Sequence, residues 1–296
     1  LKLMCWACAA AAAALCCLAL VEPAATAEPS AAAPDATLTL VVMDPLALPL
    51  SCPCVQGYAQ RDYEKLASAL ETALGRKIHL VFNESLTAAL RGQAQGRAHL
   101  IIGKHSVVLF DAQKNNLELT QLAMLTGKDG GTTQTGLFVV PSHDPAKTVA
   151  DIEGYRIIFG PAESDEKHAA ALALLKQLDV PAPQTIETAV ACDEGANLVL
   201  ELPAGQHGAA VISSYAKPLL EGCGTVKKGD LKVIGETLPV PFVAAFATGS
   251  IKPEERQALL DALVAASSTP EMRIALETRR GFVPIEPPGV VSTKKK

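Results

Sequence analysis

Between residues 38 and 103 short apolar runs alternate with segments of helical period, and that alternation narrows the available folds more than any other feature. LTLVVM (38–43), KIHLVF (77–82) and AHLIIG (98–103) are runs of the buried-strand type. Between the first two, Tyr63, Leu66, Ala67, Leu70 and Leu74 fall at helical spacing before a stop at Gly75; SLTAALRGQAQG (85–96) supplies a second helical segment. A βαβαβ order of this kind implies a parallel sheet with helices on its faces. After GTTQTG (131–136) the alternation resumes: GLFVVP, a short helix at 148–153, YRIIFG, and a long helix whose apolar stripe is Ala171, Leu174, Leu175 and Leu178. GAAVIS (208–213), a helix at 216–221, LKVIGE, VPFVAAFA and a last helix carrying Leu259, Ala262, Leu263 and Ala266 complete a second α/β half.

The chain has 296 residues, 49% of them hydrophobic, enough for one large or two medium domains with real cores. A formal net charge of −5 argues against a general nucleic-acid binder, which needs clustered Lys and Arg. The only basic run, Lys294 to Lys296, ends the chain within a tail at 288–296. Residues 1–27 combine an early Lys, an apolar stretch and the small-residue ending Ala25-Thr26-Ala27, the pattern of a secretory signal peptide cleaved after Ala27; a membrane anchor over 3–21 is the alternative. An Ala/Pro/Ser linker follows at 28–36.

Export changes how the cysteines are read, because an oxidising compartment lets disulfides persist. Four of the eight lie in the leader, which leaves Cys52, Cys54, Cys192 and Cys223 and three possible pairings. A Cys192–Cys223 bridge is the preferred expectation, and a loop of that size would contribute about 3–4 kcal/mol.

Enzyme signatures are missing from the sequence. There is no G-x-S-x-G and no H-E-x-x-H, and Gly127-Lys128 is not a complete P-loop. S-x-x-K occurs at Ser164/Lys167 and Ser214/Lys217 without the partner motifs of the penicillin-binding enzymes, so both read as chance.

The stretch TGLFVVPSHDPAKTVADIEGYRIIFGPAESDEKHAAALALLKQLDV carries a recognisable pattern, x-D-L-x-G-x-[RK]-[IV]-x-F-G followed by a helix, with Asp151, Ile152, Gly154, Arg156, Ile157, Phe159 and Gly160 in its places. With Ser213-Ser214-Tyr215, VIGETLPVPFVAAFAT and the ending GFVPIEP, this resembles the phosphate/phosphonate-type periplasmic solute-binding proteins of ABC transporters over residues 38–287. The resemblance implies an α/β, two-lobed type II periplasmic binding protein fold, each lobe a mainly parallel sheet flanked by helices, joined by two hinge strands. Lobe one would be 37–134 plus 243–287 and lobe two 135–242, with crossings near 136–141 and 238–247. It also implies a periplasmic monomer without cofactor or catalytic activity, which captures a small oxyanion such as phosphate or phosphonate and presents it to a membrane permease.

In that family an anion sits where hydroxyls and backbone N–H groups converge, partly at a helix N-terminus. The positions that match in lobe two are Ser164, Ser213, Ser214 and Tyr215. Here Glu163, Asp165 and Glu166 surround Ser164 where the family has neutral hydroxyl residues; acidic residues are also ordinary in a first helical turn, and carboxylates turned into the cleft would repel phosphate. The loop after the third strand, GKHS, offers Lys104 and His105 to an anion; His105 is equally a candidate metal ligand, and Ser106 alternatively a helix N-cap.

Cys52-Pro53-Cys54 falls in the long loop after the first strand, over the cleft mouth on the family model. It reads as a tight loop disulfide, as a metal or redox site for copper or zinc with His105 (and Asp44, Glu163 or His168 nearby), or as separate thiols.

Overall fold

The computed structural model describes residues 37–51 and 59–285. The leader, the linker, the Cys52-Pro53-Cys54 segment and the basic tail lie outside the described residues, and with them the expectations of cleavage after Ala27 and of a loop disulfide or metal site.

Two mixed sheets organise the chain. The first has the order β13-β4-β12-β3-β1-β2, where β1 is Thr37–Met43, β2 Lys77–Phe82, β3 Leu100–Lys104, β4 Leu119–Leu125, β12 Val243–Thr248 and β13 Phe282–Pro284. The second has the order β10-β6-β9-β7-β8, where β6 is Gly136–Pro141, β7 Arg156–Phe159, β8 Glu187–Thr188, β9 Gly208–Ser213 and β10 Leu231–Glu236. β1 pairs in parallel with β2 and β3, but β12 runs antiparallel to both β3 and β4. In the second sheet β7 is parallel to β8 and β9, while β6 is antiparallel to β9 and β10. The expectation of mainly parallel sheets is therefore corrected to mixed ones. A fully buried central strand such as β12, VAAFAT, has the same continuous apolar run whichever way it points.

The chain passes between the sheets twice. Those passages meet in a small two-stranded pairing of β5 (Thr133–Gln134) with β11 (Val240–Pro241). β6 belongs wholly to the second sheet, so the first crossing lies a few residues earlier than 136–141.

Local chemistry explains the helices. In α1 (Tyr63–Leu74) the Asp62 carboxylate accepts from the Lys65 N–H and Gly75 closes the last turn at φ 62°, a left-handed conformation that costs glycine little. Tyr63, Leu66, Ala67 and Leu70 form its buried face. α2 (Leu86–Arg91) is shorter than its pattern, because Gly92 ends it. α3 (His105–Lys114) follows β3 without a loop. The Asp151 carboxylate accepts from the N–H groups of Lys147 and Thr148, Ile152 is buried, and Gly154 turns the chain into β7 at φ 78°. The x-D-L-x-G pattern is thus a folding device.

α4 (Ala169–Gln177), α5 (Cys192–Leu200) and α6 (Ala216–Gly222) flank the second sheet, and α7 (Pro253–Ser267) and α8 (Pro270–Ala275) return to the first. The Cys192–Cys223 bridge is not formed. The Cys192 sulfur, at the first residue of α5, lies 3.7 Å from the Ser213 hydroxyl; the Cys223 sulfur, at the end of α6, lies 3.0 Å from the Thr225 hydroxyl. Each thiol is directed at its own local partner.

Candidate functional site

A cavity of about 390 Å³ opens between the two lobes. Its first-lobe wall includes Met43, Leu46, Leu50 and Val107; Pro161, Ala191, Ala216 and Leu219 line the facing side. The polar groups are Ser51, Lys104, Ser164, Lys167, Cys192 and Tyr215, with the carboxylates Glu84, Glu163 and Asp193. A wider hollow of about 650 Å³ at α1 and β2 is bounded by the first lobe alone, so it cannot sense lobe closure.

At the base of the cleft the two lobes are joined by an ion pair. The last residue of β3, Lys104, is 5% exposed and sends its Nζ 2.6 Å to Glu166 Oε1 and 3.0 Å to Ser164 Oγ. Ser213, at the end of β9, donates its hydroxyl to the same Glu166 oxygen at 2.6 Å. Glu166 is fully buried, and its Oε2 has no hydrogen-bond partner. Burial pulls the Lys104 ammonium below its ordinary range, and the neighbouring Glu166 carboxylate only partly opposes this.

The turn that carries Glu166 is held from two sides. Ser106, in the first turn of α3, donates to the Glu163 carbonyl at 2.8 Å and accepts from the Asp165 N–H at 3.3 Å. Ser106 is therefore an interlobe contact, and the cap position of α3 is Lys104 without a side-chain cap. On the other side a Cβ on Gly136 would lie 2.0 Å from the Glu166 carbonyl oxygen, so the absence of a side chain at the start of β6 lets the turn sit where it does.

Of the six expected ligand residues, Lys104, Ser164 and Ser213 converge, and Tyr215 stands beside them. Tyr215 stacks on Phe242 with ring centroids 5.0 Å apart, and burial, with Cys192 and Glu166 nearby, drives its hydroxyl pKa well above the ordinary range. Ser214 is not in the cluster: its hydroxyl accepts the Thr135 N–H, and its own N–H bonds the Thr135 carbonyl, which ties it to the crossing. His105 is also elsewhere, with its ring 5.7 Å from that of Phe246 in the opposite core of the first lobe and its pKa lowered by burial. Lys104 closes β3 and His105 opens α3, and the two side chains leave toward different neighbours. Sequence reasoning read Glu166 either as an ordinary acid of a first helical turn or as a charge that would repel phosphate, and missed that it is the acceptor at the centre. Neither S-x-x-K is a reactive pair: Lys167 bonds the Val190 carbonyl and Lys217 pairs with Glu221.

Residues 56–288 match the family model described as ABC transporter, phosphonate, periplasmic substrate-binding protein. The chain belongs to this family. Its fold recurs in XAC2383 from Xanthomonas citri bound to ATP (TM-score 0.62, 16% identity, covering 85% of this chain and 92% of that one). Similar values hold for PhnD1 from Prochlorococcus marinus in complex with methylphosphonate (0.61, 12%, 85% and 93%). A binding protein component of an ABC phosphonate transporter from Pseudomonas aeruginosa also shares it (0.61, 12%, 84% and 81%). No curated protein matches the sequence. The chain has the two-lobed mixed α/β fold of these phosphonate-binding proteins.

Proposed function

We propose that the chain is an exported solute receptor, released from its leader after Ala27, which captures a small oxyanion of the phosphonate or phosphate class and delivers it to an ABC-type permease without chemically changing it. One observation carries this reading: a buried cation from the first lobe, Lys104, bonds the Ser164 hydroxyl and the Glu166 carboxylate of the second lobe, with the Ser213 hydroxyl on that same carboxylate, at the base of a cleft lined by both lobes. A solute that bonds both lobes stabilises their closed arrangement by its differential affinity for it. Apolar walls suit an organic substituent on the head group. The metal reading gains no support, since His105 is turned to Phe246.

Isothermal titration of the chain from Glu28 with methylphosphonate and with phosphate tests the proposal. Saturable binding that is lost in Ser164→Ala/Ser213→Ala is the expected result; no heat with any oxyanion at millimolar concentration would overturn it. Light scattering is expected to show a monomer, and a stable dimer would contradict that part.

A further inference from the structure

We infer that Glu166 is a resident anion: its carboxylate fills the oxyanion subsite of this cleft, and an external oxyanion binds by displacing it. The inference rests on the oxyanion reading above and adds what sets affinity and selectivity within it.

The donors decide the matter. An ammonium has three protons and each serine hydroxyl one. Lys104 spends two of its three on Glu166 Oε1 and Ser164 Oγ, and Ser213 spends its only proton on the same Glu166 oxygen. Of these three groups, what remains for an incoming oxyanion is one lysine proton and the Ser164 hydroxyl proton, fewer than the three acceptor oxygens of a phosphonate head. The carboxylate therefore stands in for the ligand, with the ligand's own kind of charge and on the ligand's own donors.

The same geometry makes the occupant exchangeable. Oε1 takes two short charge-assisted bonds while Oε2, equally buried, takes none. A buried acceptor without a partner costs free energy, so the internal pairing is incomplete and a ligand with better-placed oxygens can replace it. Glu84, Glu163 and Asp193 also line the cavity and, as acceptors, give Oε2 no proton. Selection follows: wild type favours oxyanions that satisfy more donors than a carboxylate can, at an affinity lowered by the competition.

The test titrates methylphosphonate and inorganic phosphate into wild type, Glu166→Ser and Glu166→Gln, with melting curves of each. Vacating the subsite in Glu166→Ser should tighten both ligands at least tenfold, about 1.4 kcal/mol. Glu166→Ser should also melt lower than wild type when ligand-free, because Lys104 loses its counter-charge, and phosphate should raise its melting temperature more than that of wild type. Glu166→Gln removes the charge but keeps the volume, so its gain should be smaller; it also serves if the serine variant does not fold. A glutamate of purely structural importance would give loss or no change of affinity. Unchanged or weaker binding in both folded variants, with wild type still binding, overturns the inference and leaves the oxyanion reading standing. Absence of oxyanion binding in all three, wild type included, overturns both.

Discussion

Two buried acid-base clusters lie within reach of the same cleft, and they are built differently. In the first lobe the Asp44 carboxylate is completely used: Oδ1 accepts the Leu46 N–H, and Oδ2 accepts Arg61 at 2.7 Å and the Tyr63 hydroxyl at 2.5 Å. The one buried atom left over is a donor, Nε of Arg61, whose guanidinium lies over the Phe242 ring at 5.3 Å. Between the lobes, Glu166 is just as buried but keeps one whole oxygen without a partner. The first cluster is confined to one lobe and fixes the loop after β1 to α1. The second spans two bodies and is left incomplete, which suits a site where something else is exchanged in.

The sharpest way to break this comparison is to remove each acid. Asp44→Ala strands the Arg61 cation and the Tyr63 hydroxyl in the core, and should cost about 3–5 kcal/mol in urea unfolding while leaving ligand preference unchanged. Lys104→Met alone should be destabilising for the same reason, with Glu166 the stranded charge. Lys104→Met/Glu166→Leu should return to within about 1 kcal/mol of wild type, the shortfall being the single Ser213 hydroxyl that loses its acceptor, since an apolar replacement of a buried pair is often neutral, and should bind no oxyanion. The matching Asp44→Leu/Arg61→Met pair should stay destabilised, because the Leu46 N–H and the Tyr63 hydroxyl lose their acceptor as well. If both double variants recover equally, the distinction between the clusters fails.

Gly136 and Ser106 sharpen the comparison more gently. Gly136→Ala pushes a methyl group into the Glu166 carbonyl, so it should cost about 1–3 kcal/mol in thermal unfolding and also alter oxyanion affinity, whereas an alanine far from this turn would change only stability. Ser106→Ala removes a single interlobe hydroxyl and should cost about 1 kcal/mol. An effect on affinity larger than that on stability would show that the α3 contact helps set the closed arrangement.

Much of the fold was legible because its signals are local. The β1, β2 and β3 runs, the stripe of α1 and the stops at Gly75 and Gly154 each depend on neighbours a few residues away. Strand direction is not local, which is why the sheets were expected to be mainly parallel although β12 runs antiparallel to both its neighbours. α5 escaped notice: its acidic first turn and Gly195 break the apolar period, although Gly195, Ala196 and Val199 are buried. β4, LTQLAML, was missed because only its second half is fully buried. In the cleft, Ser164, Ser213 and Tyr215, named from positions that match the family, and Lys104, named from the loop after the third strand, lie together. What could not be read was the partner of Glu166, 62 residues away in sequence. A carboxylate in a first helical turn and a carboxylate in a binding subsite look the same until the lobes meet.

A third buried carboxylate, Asp144, gives the smallest effect and a control for the other two. It accepts from the Tyr155 hydroxyl and pairs with His207, whose side chain is 46% exposed. Burial alone would raise its pKa, but hydrogen bonds from His207, the Ala146 N–H and Tyr155 prevail and hold it below the ordinary value of 3.8. A carboxylate with a depressed folded-state pKa adds stability that is fully present above the unfolded value and is lost as pH falls through the folded one. The melting-temperature gap between wild type and Asp144→Asn should therefore be at its full size above about pH 5 and narrow progressively as pH falls below that. Oxyanion affinity at pH 7 should be the same in both proteins, because Asp144 sits at the far end of β6 from Gly136. A gap that widened on acidification would reverse the sign, and would mean that the His207 contact does not hold the carboxylate in its charged form.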